Sequence, residues 1–148
     1  MTAPVQGDCV IDASTALKWV LQEDGSEAAA ALLDGRSLHA PALLFPEVAN
    51  ALWSAVRRGR LSEVEAADAL DLLSRAPLRL PTAEPSLANR ALQLSFLLNH
   101  PVYDCTYLAL AMQREVPVVT ADRRFALAAA RVPEAAPFVR LLLAEAPH

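Results

Sequence analysis

Four acidic residues that lie far apart in the sequence each interrupt an apolar segment. They are Asp12 in VIDAST, Glu47 in FPEVANAL, Asp104 in YDCTYLALA and Asp122 in VVTADRRF. A carboxylate in apolar surroundings carries a large desolvation cost unless a cation compensates for it. The only lysine is Lys18, so we expect the fold to gather these acids around a divalent metal ion.

Short apolar segments alternate with longer stretches of helical pattern along the chain. Strands are predicted at 8–11, 38–41, 78–80, 116–120 and 138–143. Helices are predicted at 14–20, 26–33, 46–58, 62–74, 85–98 and 103–113. The helix at 62–74 opens with a capping box formed by Ser62 and Glu65. This alternation predicts a three-layer α/β/α fold with a central, mostly parallel sheet and helices on both faces.

The 148 residues are enough for one domain, which we expect to span 1–148. A composition of 54% hydrophobic and 20% charged residues is typical of a globular chain with a substantial core. Near the N-terminus no basic segment precedes an apolar one, and no apolar run approaches the roughly 20 residues that cross a bilayer. The sequence therefore predicts a cytoplasmic protein with no membrane segment.

The cysteines and histidines do not form a metal-binding pattern. Cys9 and Cys105 are not a CxxC pair, and His39, His100 and His148 lack the spacing of metal ligands. We interpret both cysteines as small buried hydrophobic residues in a reducing compartment. The ligands that the sequence offers to a metal ion are therefore its carboxylates.

The four acids are expected to meet at one edge of the sheet. Asp12 and Asp122 each follow a predicted strand, and ligands of open α/β sheets gather outside the carboxyl ends of strands. Asp104 is expected to open its helix at this edge, and Glu47 lies one turn into another helix with Asn50 at i+3. Four oxygen donors suit magnesium or manganese, which activate water for attack on a phosphodiester. The pattern therefore predicts a hydrolytic nuclease.

Each candidate also has an ordinary structural interpretation. Asp12, Asp104 and Asp122 stand near helix starts, where aspartate is a favoured N-cap residue. The hydroxyls of Ser14 and Thr120 commonly bond to nearby backbone in such positions. Glu47, taken alone, is an ordinary helix-surface acid or an ion-pair partner of an arginine. The conjunction of all four acids favours the metal site.

The four segments resemble the motifs of the PIN domain, in particular those of VapC-type ribonuclease toxins. VIDAST is similar to the first motif, which implies that Asp12 is the first metal ligand and Ser14 its hydroxyl partner. PEVANAL is similar to the helix that carries the second acid, so Glu47 corresponds to that acid with Asn50 beside it.

The third and fourth motifs are also matched. YDCTYLALA resembles the third motif and supplies Asp104, and VVTADRRF resembles the fourth and supplies Asp122 with Thr120 nearby. The resemblance implies a magnesium-dependent endoribonuclease that hydrolyses RNA, with manganese as a substitute metal. It further implies a homodimer that is inhibited by a cognate antitoxin encoded beside it.

Charge and apolar surface suggest where partners bind. The net charge of −4 argues against a nucleic-acid partner, but arginines cluster in VRRGR at 56–60 and directly after Asp122 at Arg123 and Arg124. If cations neutralise the four acids, these arginines dominate the local field. The helices between 45 and 74 carry Leu52, Trp53 and Val56, which we expect to serve the dimer surface.

Other enzyme classes lack their motifs, but two alternatives stay open. The sequence contains no GxSxG, GxGxxG or GxxxxGK pattern. A catalytically silent PIN-like module that binds RNA or a protein would share the fold and keep its acids as helix caps. A metal phosphatase acting on small phosphoesters would share the metal site. Metal-dependent cleavage of RNA distinguishes the nuclease from both.

Overall fold

A computed structural model of the chain describes residues 5–81 and 85–142. The strands are β1 (Cys9–Ile11), β2 (Leu38–His39), β3 (Leu78–Arg79), β4 (Val118–Thr120) and β5 (Val139–Leu141). The helices are α1 (Ala13–Val20), α2 (Ser26–Ala30), α3 (Leu44–Arg57), α4 (Glu63–Ser74), α5 (Pro85–Leu98), α6 (Val102–Arg114) and α7 (Arg123–Ala130). One turn of 3₁₀ helix, Ala136–Phe138, precedes β5.

The five described strands form one sheet in the order β3-β2-β1-β4-β5, and every pair is parallel. β1 occupies the centre, with Val10 opposite His39 of β2 on one side and Val118 of β4 on the other. Residues of β1 and β4 are completely buried, as expected for parallel strands that are covered on both faces. The three-layer α/β/α architecture predicted from the sequence is confirmed.

The loops that follow β1 and β4 are adjacent because these two strands pair directly. Asp12 connects β1 to α1, and Ala121 and Asp122 connect β4 to α7. The backbone N–H of Asp12 also lies 3.5 Å from the carbonyl oxygen of Val119. The two motifs are thus brought together by the sheet itself, although 110 residues separate Asp12 from Asp122.

The predicted elements are confirmed, with differences at their ends. α2 stops at Ala30 because the N–H groups of Leu32 and Leu33 bond three residues back, a tighter turn than an α-helix. β4 begins at Val118 because the Val116 N–H is bonded to the carbonyl of Ala111 at the end of α6. The predicted end of the last strand at 143 and His148 both lie outside the described residues.

The apolar residues of the sheet and of the inner helix faces form one core. Leu52 of α3 is buried within it, whereas Trp53 is 55% exposed and its ring lies 4.8 Å from the Arg57 guanidinium. Trp53, Val56 and Leu70 line a groove of about 340 Å³ between α3 and α4. No helix in the described part of the chain is long and apolar enough to cross a bilayer.

Candidate active site and metal centre

Asp12 is almost completely buried at the carboxyl end of β1. Its side chain is the N-cap of α1, since Oδ1 accepts a hydrogen bond from the Thr15 N–H at 3.0 Å. The Ser14 hydroxyl donates to the same oxygen at 2.7 Å. Burial raises the pKa of Asp12 to about 6, against the opposing effect of hydrogen bonds from Thr120, Ser14 and Thr15. The neighbouring Asp104 charge raises this pKa further.

Asp104 lies in the first turn of α6 and is not its cap. The N-cap residue is Pro101, which makes no side-chain capping bond. Asp104 Oδ2 instead lies 2.6 Å from Nε2 of His100, four residues earlier. Burial raises the pKa of Asp104, the His100 contact lowers it, and the charge of Asp122 raises it again. The N-cap interpretation therefore does not apply to this acid.

Glu47 lies in the first turn of α3 and faces α6. Its Oε1 accepts a hydrogen bond from the phenolic hydroxyl of Tyr107 at 2.6 Å. Burial raises the pKa of Glu47, the Tyr107 hydrogen bond lowers it, and the Asp104 charge raises it. Asn50 lies exposed at the next turn of the same helix.

Asp122 is half-buried and caps α7. Its Oδ1 accepts hydrogen bonds from the backbone N–H groups of Arg124 at 2.9 Å and Phe125 at 3.3 Å. Asp12 and Asp122 therefore both have the capping role that their sequence contexts suggested. Capping engages Oδ1 of each and does not exclude a second role for the same carboxylate.

Two hydroxyls join the loops that carry Asp12 and Asp122. Ser14 Oγ lies 3.3 Å from Thr120 Oγ1 and accepts a hydrogen bond from the Ala121 N–H at 2.9 Å. Thr120 Oγ1 accepts from the Asp122 N–H at 3.0 Å. Ser14 and Thr120, both singled out in the sequence, thus fix the relative position of the two aspartates.

The four carboxylates form one electrostatic unit with Asp104 in the middle. The charge of Asp104 acts on Asp12 and on Glu47, and the charge of Asp122 acts on Asp104. Among the ion pairs of the described residues, only His100 approaches one of these acids. The site therefore concentrates negative charge that the described side chains do little to neutralise.

The donor set fits a divalent cation, although the side chains do not form a preformed cage. Within 5–81 and 85–142, no three His, Cys, Asp or Glu side chains are grouped closely enough to hold a metal ion as they stand. Glu47 and Asp104 are each turned toward a hydrogen-bond donor. Uncompensated carboxylate oxygens at a strand edge are nevertheless the ligands that magnesium and manganese prefer.

His100 and Tyr107 are site residues that the sequence analysis missed. The sequence analysis treated His100 only as a candidate metal ligand, although its position four residues before Asp104 is a sequence signal for contact between the two side chains. Tyr107 is completely buried and contacts Glu47 across 60 residues of sequence, so no local pattern indicates this contact.

The two arginine clusters lie at different distances from the acids. Arg123 and Arg124 are exposed in the first turn of α7, directly after Asp122. Arg57, by contrast, ends α3 ten residues after Glu47, which corresponds to about 15 Å along a helix. The cluster at 56–60 is therefore remote from the carboxylates, and only the pair after Asp122 adjoins the site.

Comparison with known proteins agrees with this architecture. The PIN domain family matches residues 9–131. Ribonuclease VapC12 of Mycobacterium tuberculosis is 36% identical over 117 residues, which cover 79% of this chain and 88% of the relative. Ribonuclease VapC1 of the same organism is 36% identical over 125 residues, covering 82% and 90% of the two chains.

A solved structure with little sequence similarity has the same fold. The crystal structure of VapBC2 from Rickettsia felis, bound to a DNA fragment from the VapBC2 promoter, contains a chain that aligns with this one with a TM-score of 0.65. The alignment covers 90% of this chain and 98% of that chain at 10% sequence identity. Fold and site together define an α/β protein with a carboxylate site at the carboxyl edge of a parallel sheet. The chain belongs to the PIN-domain family, in its branch of VapC ribonucleases.

Proposed function

We propose that this chain is a magnesium-dependent endoribonuclease and the toxin of a type II toxin–antitoxin system, acting in the cytoplasm. Manganese is expected to substitute for magnesium. The observation that carries the proposal is the buried Asp12 carboxylate, which shares one acidic site with Glu47, Asp104 and Asp122 and has no cationic side chain as a partner among the described residues. Such a site is unfavourable in a protein that has no use for a cation.

In this proposal each of the four acids contributes oxygen ligands to the metal. Asp12 and Asp122 are held by their capping bonds, and Glu47 and Asp104 are presented from the first turns of α3 and α6. The chemistry that a divalent cation supplies, when bound, is activation of water and stabilisation of the charge that develops on a phosphodiester. Ser14, together with Thr120, orients the aspartates, and the exposed Asn50, one turn after Glu47 on α3, is a candidate accessory residue.

Substrate binding is assigned to the exposed arginines beside the acids. Arg123 and Arg124 are the basic residues nearest to Asp122 in the chain, and neither makes an ion pair with another described residue. Guanidinium groups pair well with phosphate oxygens. We therefore propose that these two side chains bind phosphates of the RNA backbone near the scissile bond.

The names of the relatives support the ribonuclease assignment. VapC12 and VapC1 are described as ribonucleases, and the Rickettsia felis structure contains VapBC2 bound to promoter DNA. We propose that this chain has a cognate antitoxin as its protein partner and forms a homodimer. The exposed Trp53 and the groove between α3 and α4 provide apolar surface for protein contacts.

The enzymatic part is tested with purified protein incubated with transfer RNA and ribosomal RNA in magnesium, in manganese or in a chelator. Defined fragments that appear only with metal are expected. Absence of cleavage with either metal would reject the nuclease. Turnover of a chromogenic phosphomonoester in the same buffers would instead support the phosphatase alternative.

The toxin part is tested in cells. Expression of the wild-type chain is expected to arrest growth, Asp12→Asn is expected to be tolerated, and co-expression of the adjacent small open reading frame is expected to restore growth. Normal growth at verified levels of folded wild-type protein would reject the toxin role while leaving nuclease chemistry intact.

A catalytically silent module is the second candidate, and one observation favours it. Asp12 and Asp122 both serve as helix caps, so their presence has a structural explanation without catalysis. Such a module would bind RNA or a protein partner and would release no fragments in the RNA assay.

A further inference from the structure

Two hydrogen-bonding side chains that approach the carboxylates come from the same segment of the chain as Asp104. His100 precedes α6, and Tyr107 lies on α6 three residues after Asp104, on the same helical face. His100 contacts Asp104 Oδ2, and Tyr107 donates to Glu47 Oε1, both at 2.6 Å. Each contact engages only one oxygen of its carboxylate, so the second oxygen stays available to a cation.

His100 is held firmly enough to fix the carboxylate that it contacts. Its ring stacks on Phe125, with centroids 5.4 Å apart and an interplanar angle of 26°. The backbone of His100 makes two hydrogen bonds with Ser95. Its N–H donates to the Ser95 carbonyl at 3.2 Å, and its carbonyl accepts from the Ser95 hydroxyl at 2.5 Å. An ionised carboxylate can only accept, so Nε2 is the donor toward ionised Asp104.

Tyr107 is even more constrained. The side chain is completely buried, and its phenolic hydroxyl bridges α6 to Glu47 on α3. A buried tyrosine hydroxyl needs a hydrogen-bond partner, and here that partner is a proposed metal ligand. The bond thus fixes the Glu47 side chain and links the two helices that carry Glu47 and Asp104.

We propose that His100 and Tyr107 are positioning residues for the metal site, which fix one oxygen of Asp104 and one of Glu47 and leave the other oxygen of each for a cation. This inference rests on the proposed metal-dependent function. Hydrogen bonds to metal-ligating carboxylates orient them, and loss of such a partner typically lowers metal affinity about 10- to 100-fold. Neither residue needs to touch the metal or the RNA.

The test measures the affinity of the purified protein for Mn²⁺ from the paramagnetic resonance signal of the free ion. Tyr107→Phe removes only the hydroxyl, and His100→Leu replaces the imidazole with an apolar group. Both variants are expected to weaken Mn²⁺ binding about 10-fold or more. His100→Gln, which keeps an N–H donor, is expected to stay close to the wild type. Tyr103→Phe, which loses a hydroxyl from a 59% exposed tyrosine on the same helix, is the matched control.

The outcomes separate this inference from the proposed function. A wild-type chain that binds no Mn²⁺ overturns both the metal assignment and the positioning role. Binding by the wild type with unchanged affinity in Tyr107→Phe and His100→Leu overturns the positioning role alone. Equal weakening of Mn²⁺ binding in His100→Leu and His100→Gln overturns the role of the His100 donor, because loss of the imidazole ring, which both variants share, would then account for the effect.

Discussion

Asp12 is 2% exposed, and the pKa of its carboxyl group is raised to about 6, chiefly by burial. Hydrogen bonds from Ser14 and Thr15 offset part of this cost, and the charge of Asp104 adds to it. A residue held in this way is costly in the metal-free protein and useful once a cation is bound. The effect of Asp12 on stability can therefore be measured in the metal-free protein, and its effect on RNA cleavage in the presence of metal.

Asp12→Asn and Asp104→Asn are each expected to reduce metal-dependent RNA cleavage by about 100-fold or more, because each removes a charge that holds the cation. Asparagine remains a good N-cap residue, so α1 should persist in Asp12→Asn. Cleavage is measured on the same RNA at saturating metal. The control is Asp68→Asn, which neutralises an exposed acid on α4. Wild-type activity in both site variants would contradict the assignment.

The stability of the metal-free protein should depend on the protonation of Asp12. The folded-state pKa of about 6 exceeds the ordinary 3.8, so the folded state binds this proton more tightly than the unfolded state. The corresponding stabilisation is complete below about pH 4 and is lost as pH rises through 6. Asp12→Asn should therefore become more stable than the wild type between pH 4 and 7, by up to about 3 kcal/mol.

Urea unfolding of both proteins across this pH range, in chelator, gives the difference in unfolding free energy directly. A difference that does not change with pH would exclude Asp12 as the group that titrates. The same series with Asp68→Asn reports the effect of an acid that is already in solvent.

Within the elements, one helix end contributes to stability without taking part in the site. The N-termini of α1, α3, α6 and α7 lie at or near the four acids. The N-terminus of α4 has a complete capping box, in which Ser62 Oγ accepts from the Glu65 N–H at 3.1 Å and Glu65 Oε1 accepts from the Ser62 N–H at 3.0 Å. This box contains none of the site residues.

Ser62→Ala is expected to destabilise the fold by about 1 kcal/mol, because it leaves a helix N–H without its capping acceptor. RNA cleavage at a temperature well below unfolding should be unchanged. Chemical denaturation measures the first effect and a fragment assay the second. Ser62→Asp preserves the cap and should be close to the wild type. Loss of cleavage in Ser62→Ala would mean that α4 is coupled to the site.

Across the whole molecule, the acidic site joins elements that have little else in common. Asp12 and Asp122 follow the central strands, whereas Glu47 and Asp104 come from helices that approach the same edge. A cation bound there would connect both strand loops to α3 and α6. Metal binding should therefore stabilise the entire fold rather than one loop.

Magnesium or manganese is expected to raise the melting temperature of the wild type at matched ionic strength. A ligand present at 100 times its dissociation constant stabilises the folded state by about 2.7 kcal/mol, provided that it binds only that state. Thermal scans with and without millimolar metal measure the shift, which should be smaller in Asp104→Asn. Identical melting temperatures for the wild type with and without metal would count against the site.

The sequence by itself determined the candidate acids and the order of all the strands and helices except α7, which was not among the predicted elements. Apolar strands, the capping box at Ser62 and the placement of Asp12 and Asp122 after strands are local properties, because they depend on neighbouring residues and on strand direction. Only the tertiary structure decided that Tyr107 contacts Glu47. This contact depends on how two helices far apart in sequence pack against each other, and no local pattern of residues specifies the distance between them.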